Sequence, residues 1–124
     1  MKLDTFTYAY LHAAAFTEDR NPGQGEYLEP AIDDFDPAFV ARAMADCQSF
    51  QAACWDLIIE DLDHAGGDFW YTRNGHGCGF WDGDWEEPGA GLLTQAAQAY
   101  GEVDTTVLFA DPARNLADYG GIEP

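Results

Sequence analysis

The sequence predicts an α+β domain, a small antiparallel β-sheet packed by two or three α-helices, and three observations predict it. Asp36-Pro37 opens a long apolar stripe at helical spacing. Two aromatic runs flank Asn74-Gly75, the residue pair that favours a tight hairpin turn. Thr105 to Phe109 is rich in β-branched and aromatic residues and ends at an Asp-Pro turn.

Taken in order, Asp4 to Phe16 reads as a first helix, with Leu3, Phe6, Tyr10, Ala13 and Ala14 on one stripe. Thr17 to Ala31 carries Asn21-Pro22-Gly23 and Gly25, which predicts a loop. The second helix begins at the Asp36 cap. Phe39, Ala43, Cys47, Phe50, Cys54, Leu57, Ile58 and Leu62 form its apolar face, and it is expected to stop near Leu62 or Asp63, before Gly66-Gly67. Phe69 to Asp82 is then expected to form a hairpin around Asn74-Gly75, with Trp70 or Trp81, Phe69 and Phe80 buried. Leu92 to Tyr100 reads as a third helix closed by Gly101. Thr105 to Phe109 follows as a strand, Asp111-Pro112 as a turn, and the tail as a further edge strand.

The chain of 124 residues is the size of one domain, 1–124, and long enough for a core without staples. Hydrophobic residues make up 47%, which rules out a disordered acidic tail. No apolar run approaches the ~18 residues of a membrane span. Met1-Lys2-Leu3-Asp4 lacks the basic and apolar regions of a secretory leader, so the expected location is cytoplasmic. Three cysteines, Cys47, Cys54 and Cys78, make no disulfide framework. Cys47 and Cys54, on one helix, would lie ~10 Å apart, beyond the reach of a bridge.

Charge is the dominant feature. There are 23 Asp and Glu against 5 Lys and Arg, a net charge of -18. Such a balance repels nucleic acid and anionic membranes and attracts basic surfaces. On duplex DNA, 18 charges span ~30 Å of axis. A compact domain of this length is ~35 Å across, so charge per length is of DNA order. Mimicry of DNA requires the charges to cluster on one face. Two clusters fit: Asp46, Asp56, Glu60 and Asp63 along the second helix, and Asp82, Asp84, Glu86 and Glu87 after the hairpin. Asp56 and Glu60 are a like-charge i,i+4 pair, which disfavours the helix by a few tenths of a kcal/mol. That face is not built for helix stability.

Residues that carry other chemistry are few. His76, Cys78, Asp82 and Asp84 match no zinc spacing, and Asp82-Gly83-Asp84 lacks the rest of a calcium loop. His76 and Cys78, two apart on a strand, would share a face as base and nucleophile, but no orienting third group accompanies them. Gly75, Gly77 and Gly79 precede no helix and no phosphate-binding lysine. The aromatics of the hairpin offer stacking surfaces for bases, but only Arg73 supplies positive charge nearby. No metal, cofactor or catalytic residue is therefore expected, and a non-enzymatic protein is.

The segment Asp68-Phe69-Trp70-Tyr71-Thr72-Arg73-Asn74-Gly75-His76-Gly77-Cys78-Gly79-Phe80-Trp81-Asp82 resembles a motif of small acidic proteins of bacteriophages and prophages. Ile32-Asp33-Asp34-Phe35, Ala45-Asp46-Cys47, Leu93-Thr94-Gln95-Ala96-Ala97 and Gly101-Glu102 fit the same pattern, so the likeness covers roughly residues 4 to 110. Small acidic phage proteins of this character include DNA-mimic inhibitors of CRISPR and restriction systems. By analogy, the resemblance implies an inhibitor acting in the host cytoplasm on a positively charged nucleic-acid-binding complex, a CRISPR surveillance complex foremost. It implies no direct contact with nucleic acid or membrane and transfers no catalytic residue. The alternatives are a phage accessory enzyme or metal-binding protein centred on His76 and Cys78, and an interaction domain with incidental acidity.

Overall fold

A computed structural model describes residues 2–18 and 30–115. It corrects the expected α+β class: the fold is helical, and no β-sheet exists among the described residues. Among the described residues five helices follow in order: α1 (Thr5–Glu18), α2 (Pro37–Ile58), α3 (Leu62–Arg73), α4 (Gly89–Gln98) and the short α5 (Pro112–Asn115). Single 3₁₀ turns occupy Ile32–Asp34 and Ile59–Asp61.

Each long helix starts for a local reason. Asp4 caps α1, accepting from the Thr7 amide at 2.7 Å, and its other oxygen accepts from Gln51 Nε2 at 3.1 Å, which ties α1 to α2. Asp36 caps α2 through the Phe39 amide at 3.0 Å, with Pro37 in the first turn, as the sequence predicts. α2 leaves helical geometry at Cys54 and closes at Ile58. The Asp61 carboxylate then accepts from the His64 amide at 3.2 Å and restarts the chain as α3.

The expected stop near Leu62 or Asp63 comes earlier, at Ile58, and Gly66-Gly67 does not interrupt the helix that follows, because both glycines lie inside α3. Gly66 is a contact glycine. A Cβ there would collide with the carbonyl oxygen of Phe6 and stand 3.0 Å from Ala9 Cβ, so its bare backbone lets α3 lie directly on α1. The hairpin over 69–82 is overturned too. Phe69 to Arg73 is the last part of α3, and Asn74-Gly75 ends that helix. Gly75 takes φ +71°, the His76 amide donates to the Tyr71 carbonyl at 3.2 Å, and Asn74 Nδ2 donates to the Trp70 carbonyl at 2.9 Å. This is a Schellman-type C-cap, which needs the same left-handed glycine as a hairpin turn.

Thr105–Phe109 makes only one antiparallel bridge, Phe35 to Phe109. Asp36 N donates to Leu108 O and Ala110 N to Asp34 O, each at 2.9 Å. The amides of Leu108 and Phe109 turn to Asn115 Oδ1, at 2.8 and 2.7 Å. With those donors satisfied by a side chain, no ladder extends. The expected third helix begins earlier, at Gly89, and closes before Gly101, which takes φ +79°. Most of the expected 17–31 loop and the tail edge strand lie outside the described residues.

One aromatic core holds the helices together. Phe50 of α2 and Phe69 of α3 stack with ring centroids 4.2 Å apart, and Phe6 of α1 lies 5.8 Å from each. Tyr10 meets Trp70 edge-on at 5.3 Å. Phe69, Trp70 and Phe80 are fully buried, as expected, while Trp81 is 52% exposed. Arg73 closes the α3 end of this core. Its guanidinium donates to Asp46 Oδ2 and Tyr10 Oη at 2.9 Å and to the carbonyls of Gly101 and Tyr100 at 2.9 and 3.2 Å. Cys47 and Cys54 are buried free thiols, and burial raises both above the ordinary thiol value.

Candidate acidic interface

Asp56, Glu60, Asp61 and Asp63 lie where α2 ends and α3 begins. The loop carrying Asp82, Asp84, Glu86 and Glu87 runs beside that end, since a Cβ on Gly89 would stand 3.5 Å from Leu57 Cδ2. His64 joins the two groups. Its Nδ1 lies 3.5 Å from Asp61 Oδ2, and its Nε2 lies 3.1 Å from Asp68 Oδ2 and 3.3 Å from Asp84 Oδ2. Trp85 completes the junction: its Nε1 donates to Asp68 Oδ2 at 2.7 Å, and its ring packs 5.3 Å from His64 and 5.5 Å from Phe80.

Seven of the eight carboxylates named from the sequence, Asp56, Glu60, Asp63, Asp82, Asp84, Glu86 and Glu87, are exposed here. Asp46 is placed elsewhere. It is the ion-pair partner of buried Arg73, so its charge is already compensated. No Lys or Arg occurs over 43–72 or 74–113, so Arg73 is the single cation of that type in the whole stretch, and Asp46 holds it. Asp61, His64, Asp68 and Trp85 were missed by sequence reasoning. A signal existed in the i, i+3, i+7 spacing of Asp61, His64 and Asp68, hidden by reading Gly66-Gly67 as a break.

Asp68 is the buried member, with a side chain 5% accessible. Burial raises its carboxyl above the ordinary carboxylate value. The Trp85 hydrogen bond and His64 oppose that shift, and the charges of Asp82 and Asp84 add to it. Nearby, burial first and then Asp68, Asp82 and Asp84 raise the Cys78 thiol, which disfavours a nucleophilic thiolate. His76 meets Tyr71 edge-on, 6.0 Å between ring centroids, and its Nε2 lies 3.8 Å from Glu18 Oε2. The shared strand face that would have paired His76 with Cys78 does not exist, because the segment is a loop. Among the described residues no group of three or more His, Cys, Asp or Glu is arranged to hold a metal ion. No described helix is long and apolar enough to cross a membrane.

Comparison with known proteins found no matching family model, no matching curated protein and no matching solved structure.

Proposed function

We propose that the chain is an acidic protein ligand that occupies a positively charged nucleic-acid-binding surface of a host protein or complex, in place of DNA. The observation that supports this most is the acidic end. Asp61 and Asp84, from two separate segments, meet across His64; Asp56, Glu60, Asp63, Asp82, Glu86 and Glu87 are exposed beside them in sequence, and no Lys or Arg from 43–72 or 74–113 interrupts them. Carboxylates so crowded repel one another, a cost that a basic partner relieves. The likeness of residues 68–82 to small acidic phage proteins makes CRISPR and restriction complexes, in the host cytoplasm, the first partners to assay.

The test is binding to such a purified complex at ~50 mM and ~500 mM salt, with and without its target DNA. Affinity is expected to fall steeply with salt, and target DNA is expected to compete. Single reversals of exposed charges should each have small effects, whereas reversing Asp56, Glu60 and Asp84 together should weaken binding strongly and leave the fold intact. Salt-insensitive binding, or DNA and this protein held together at full affinity, refutes the reading.

A further inference from the structure

Past the departure from helical geometry at Cys54, the burial of α2 gives way: between Trp55 and Glu60 only Ile58 is buried. Trp55, Leu57 and Ile59 are 43, 40 and 43% exposed. With Leu92, 54% exposed, they are four of the eight large hydrophobic side chains exposed among the described residues. Leu57 reaches the first turn of α4, where a Cβ on Gly89 would stand 3.5 Å from Leu57 Cδ2. Leu92 follows Gly89 by three residues, one turn along the same side of α4. Leu57 and Leu92 therefore flank an open apolar seam where α2 meets α4. A single exposed leucine needs no explanation, whereas several brought together mark a contact surface.

The surroundings of the seam select its occupant. Asp56 and Glu60 bracket Leu57 in sequence, Glu86 and Glu87 precede Gly89, and all four are exposed. No Lys or Arg stands in 43–72 or 74–113 to compensate them. An array of phosphates has no apolar side chains, so imitation of DNA alone leaves these leucines without a role. An amphipathic helix that carries Lys and Arg beside an apolar stripe uses both features. Its basic residues meet the carboxylates, and its apolar residues at i, i+3 and i+4 meet leucines from two neighbouring helices. A second copy of this chain would bring its own net charge of -18 to the contact and be repelled.

We propose that the seam between α2 and α4 seats a basic amphipathic helix of the partner, with Leu57 and Leu92 against its apolar stripe and Asp56, Glu60, Glu86 and Glu87 against its Lys and Arg. The assignment rests on the acidic-ligand reading above and names the part of the partner that this surface grips. It sets apolar anchors inside a charged rim, the arrangement in which a few central contacts dominate binding.

The test needs no host complex. The probe is a synthetic helix of two Leu-Lys-Lys-Leu-Leu-Lys-Leu repeats, titrated into methyl-labelled protein at ~50 mM and ~500 mM salt. Oligolysine of the same length carries the charge without the stripe, and a version with Glu for Lys carries the stripe with the wrong charge. The leucine–lysine helix is expected to bind with a dissociation constant of the order of μM at the lower salt and to shift the Leu57 and Leu92 methyl signals. It should keep measurable affinity at the higher salt, where oligolysine loses its own, and the glutamate version should not bind. Leu57→Gln with Leu92→Gln should weaken the leucine–lysine helix at least about tenfold and leave oligolysine unchanged. Leu92→Gln alone, at the more exposed position, should weaken it several-fold, and the Trp70 indole signal reports an intact core in both variants. Unmoved Leu57 and Leu92 methyls at saturation, equal binding of the glutamate version, or parental binding by the folded double variant overturns the proposal. A dimer of the protein alone in sedimentation, dispersed by the double variant, would make the seam a self-interface and overturn it too. If the helix titration fails while binding to the host complex is salt-sensitive and competed by DNA, the helix seat is lost and the acidic-ligand reading stands.

Discussion

Gly66 and Gly67 are neighbours in one helix, and alanine should move stability in opposite directions at the two positions. On helix propensity alone each Gly→Ala change favours folding by about 1 kcal/mol. At Gly67 the new Cβ would meet only Tyr71 Cε2, at 3.7 Å, an ordinary contact, so that gain should survive. At Gly66 the Cβ would collide with the Phe6 carbonyl oxygen and press on Ala9 Cβ at 3.0 Å. These atoms belong to α1, whose Phe6 and Tyr10 are locked against Phe69 and Trp70. They cannot swing aside as a flexible side chain would, so α1 and α3 must separate. Overpacking of this kind costs about 1–3 kcal/mol or more, and the rigid obstacle argues for the upper end. After subtracting the propensity gain, Gly66→Ala should lose about 2 kcal/mol or more, whereas Gly67→Ala should gain about 0.5–1 kcal/mol. At roughly 4 °C per kcal/mol the two melting midpoints should straddle that of the parent. Urea denaturation with thermal melts as a cross-check measures both. If Gly66→Ala is as stable as Gly67→Ala, the close helix contact is wrong and the packing of α1 on α3 must be redrawn.

Other expectations follow from the same contacts. Trp70→Ala should cost about 3–5 kcal/mol, since the ring is fully buried and Nε1 donates to Thr17 Oγ1 at 2.9 Å; Trp81→Ala, at a residue 52% exposed, should stay within about 0.5 kcal/mol, and equal losses in urea melts would contradict the core assignment. Asp46→Asn should destabilise by about 1–2 kcal/mol by weakening a charge-assisted hydrogen bond of Arg73, whereas Asp56→Asn should be neutral or stabilising because it removes a like-charge pair with Glu60. The Asp68 carboxyl binds its proton more tightly in the fold than in the unfolded chain. As pH rises from the unfolded value through the raised folded one, the fold loses that advantage, so stability should fall more steeply there in the parent than in Asp68→Asn. Parallel pH profiles of the two proteins would remove Asp68 from its buried position. Asp4 carries the opposite sign. Burial raises it, but hydrogen bonds with Thr7 and Gln51 outweigh that and lower it. Its contribution is present above the unfolded value and lost as pH falls through the folded one, a loss that Asp4→Ala should abolish.

Where a boundary is fixed by a local contact, the sequence states it plainly. Asp36-Pro37 announces α2, and Phe39, Ala43, Cys47, Phe50, Cys54 and Ile58 repeat along its buried face. The three-residue step from Asp61 to His64 also encodes a cap, but it is overshadowed by the longer stripe that continues to Leu62. The hairpin expectation failed for a different reason. Ala65, Gly66, Phe69, Trp70 and Arg73 are all buried at helical spacing. Two glycines nevertheless disfavour a helix, and three consecutive aromatics favour a strand, by intrinsic preference. Tertiary packing overrides that preference, because Gly66 admits α1 and the aromatics fill the space between α1 and α2. Asn74-Gly75 cannot arbitrate, since both a hairpin turn and a Schellman cap need a glycine at positive φ.

The acidic site was legible in composition and only partly in position. Counting carboxylates locates Asp56 to Asp63 and Asp82 to Glu87, but not that the two segments meet at His64. That depends on reading 62–73 as helix, because only a helical turn sets Asp61 and Asp68 on either side of the His64 ring. The same misreading placed Asp46 among the free charges. With Arg73 on a strand edge, its guanidinium would face solvent. At the end of α3 it points into the core, where Asp46, Tyr10 and two carbonyls meet it. A buried guanidinium demands such partners, so the helix that hides Arg73 also withdraws Asp46 from the surface available to a basic partner. The negative charge left for recognition is thereby concentrated at the opposite end of α3, around its first turn.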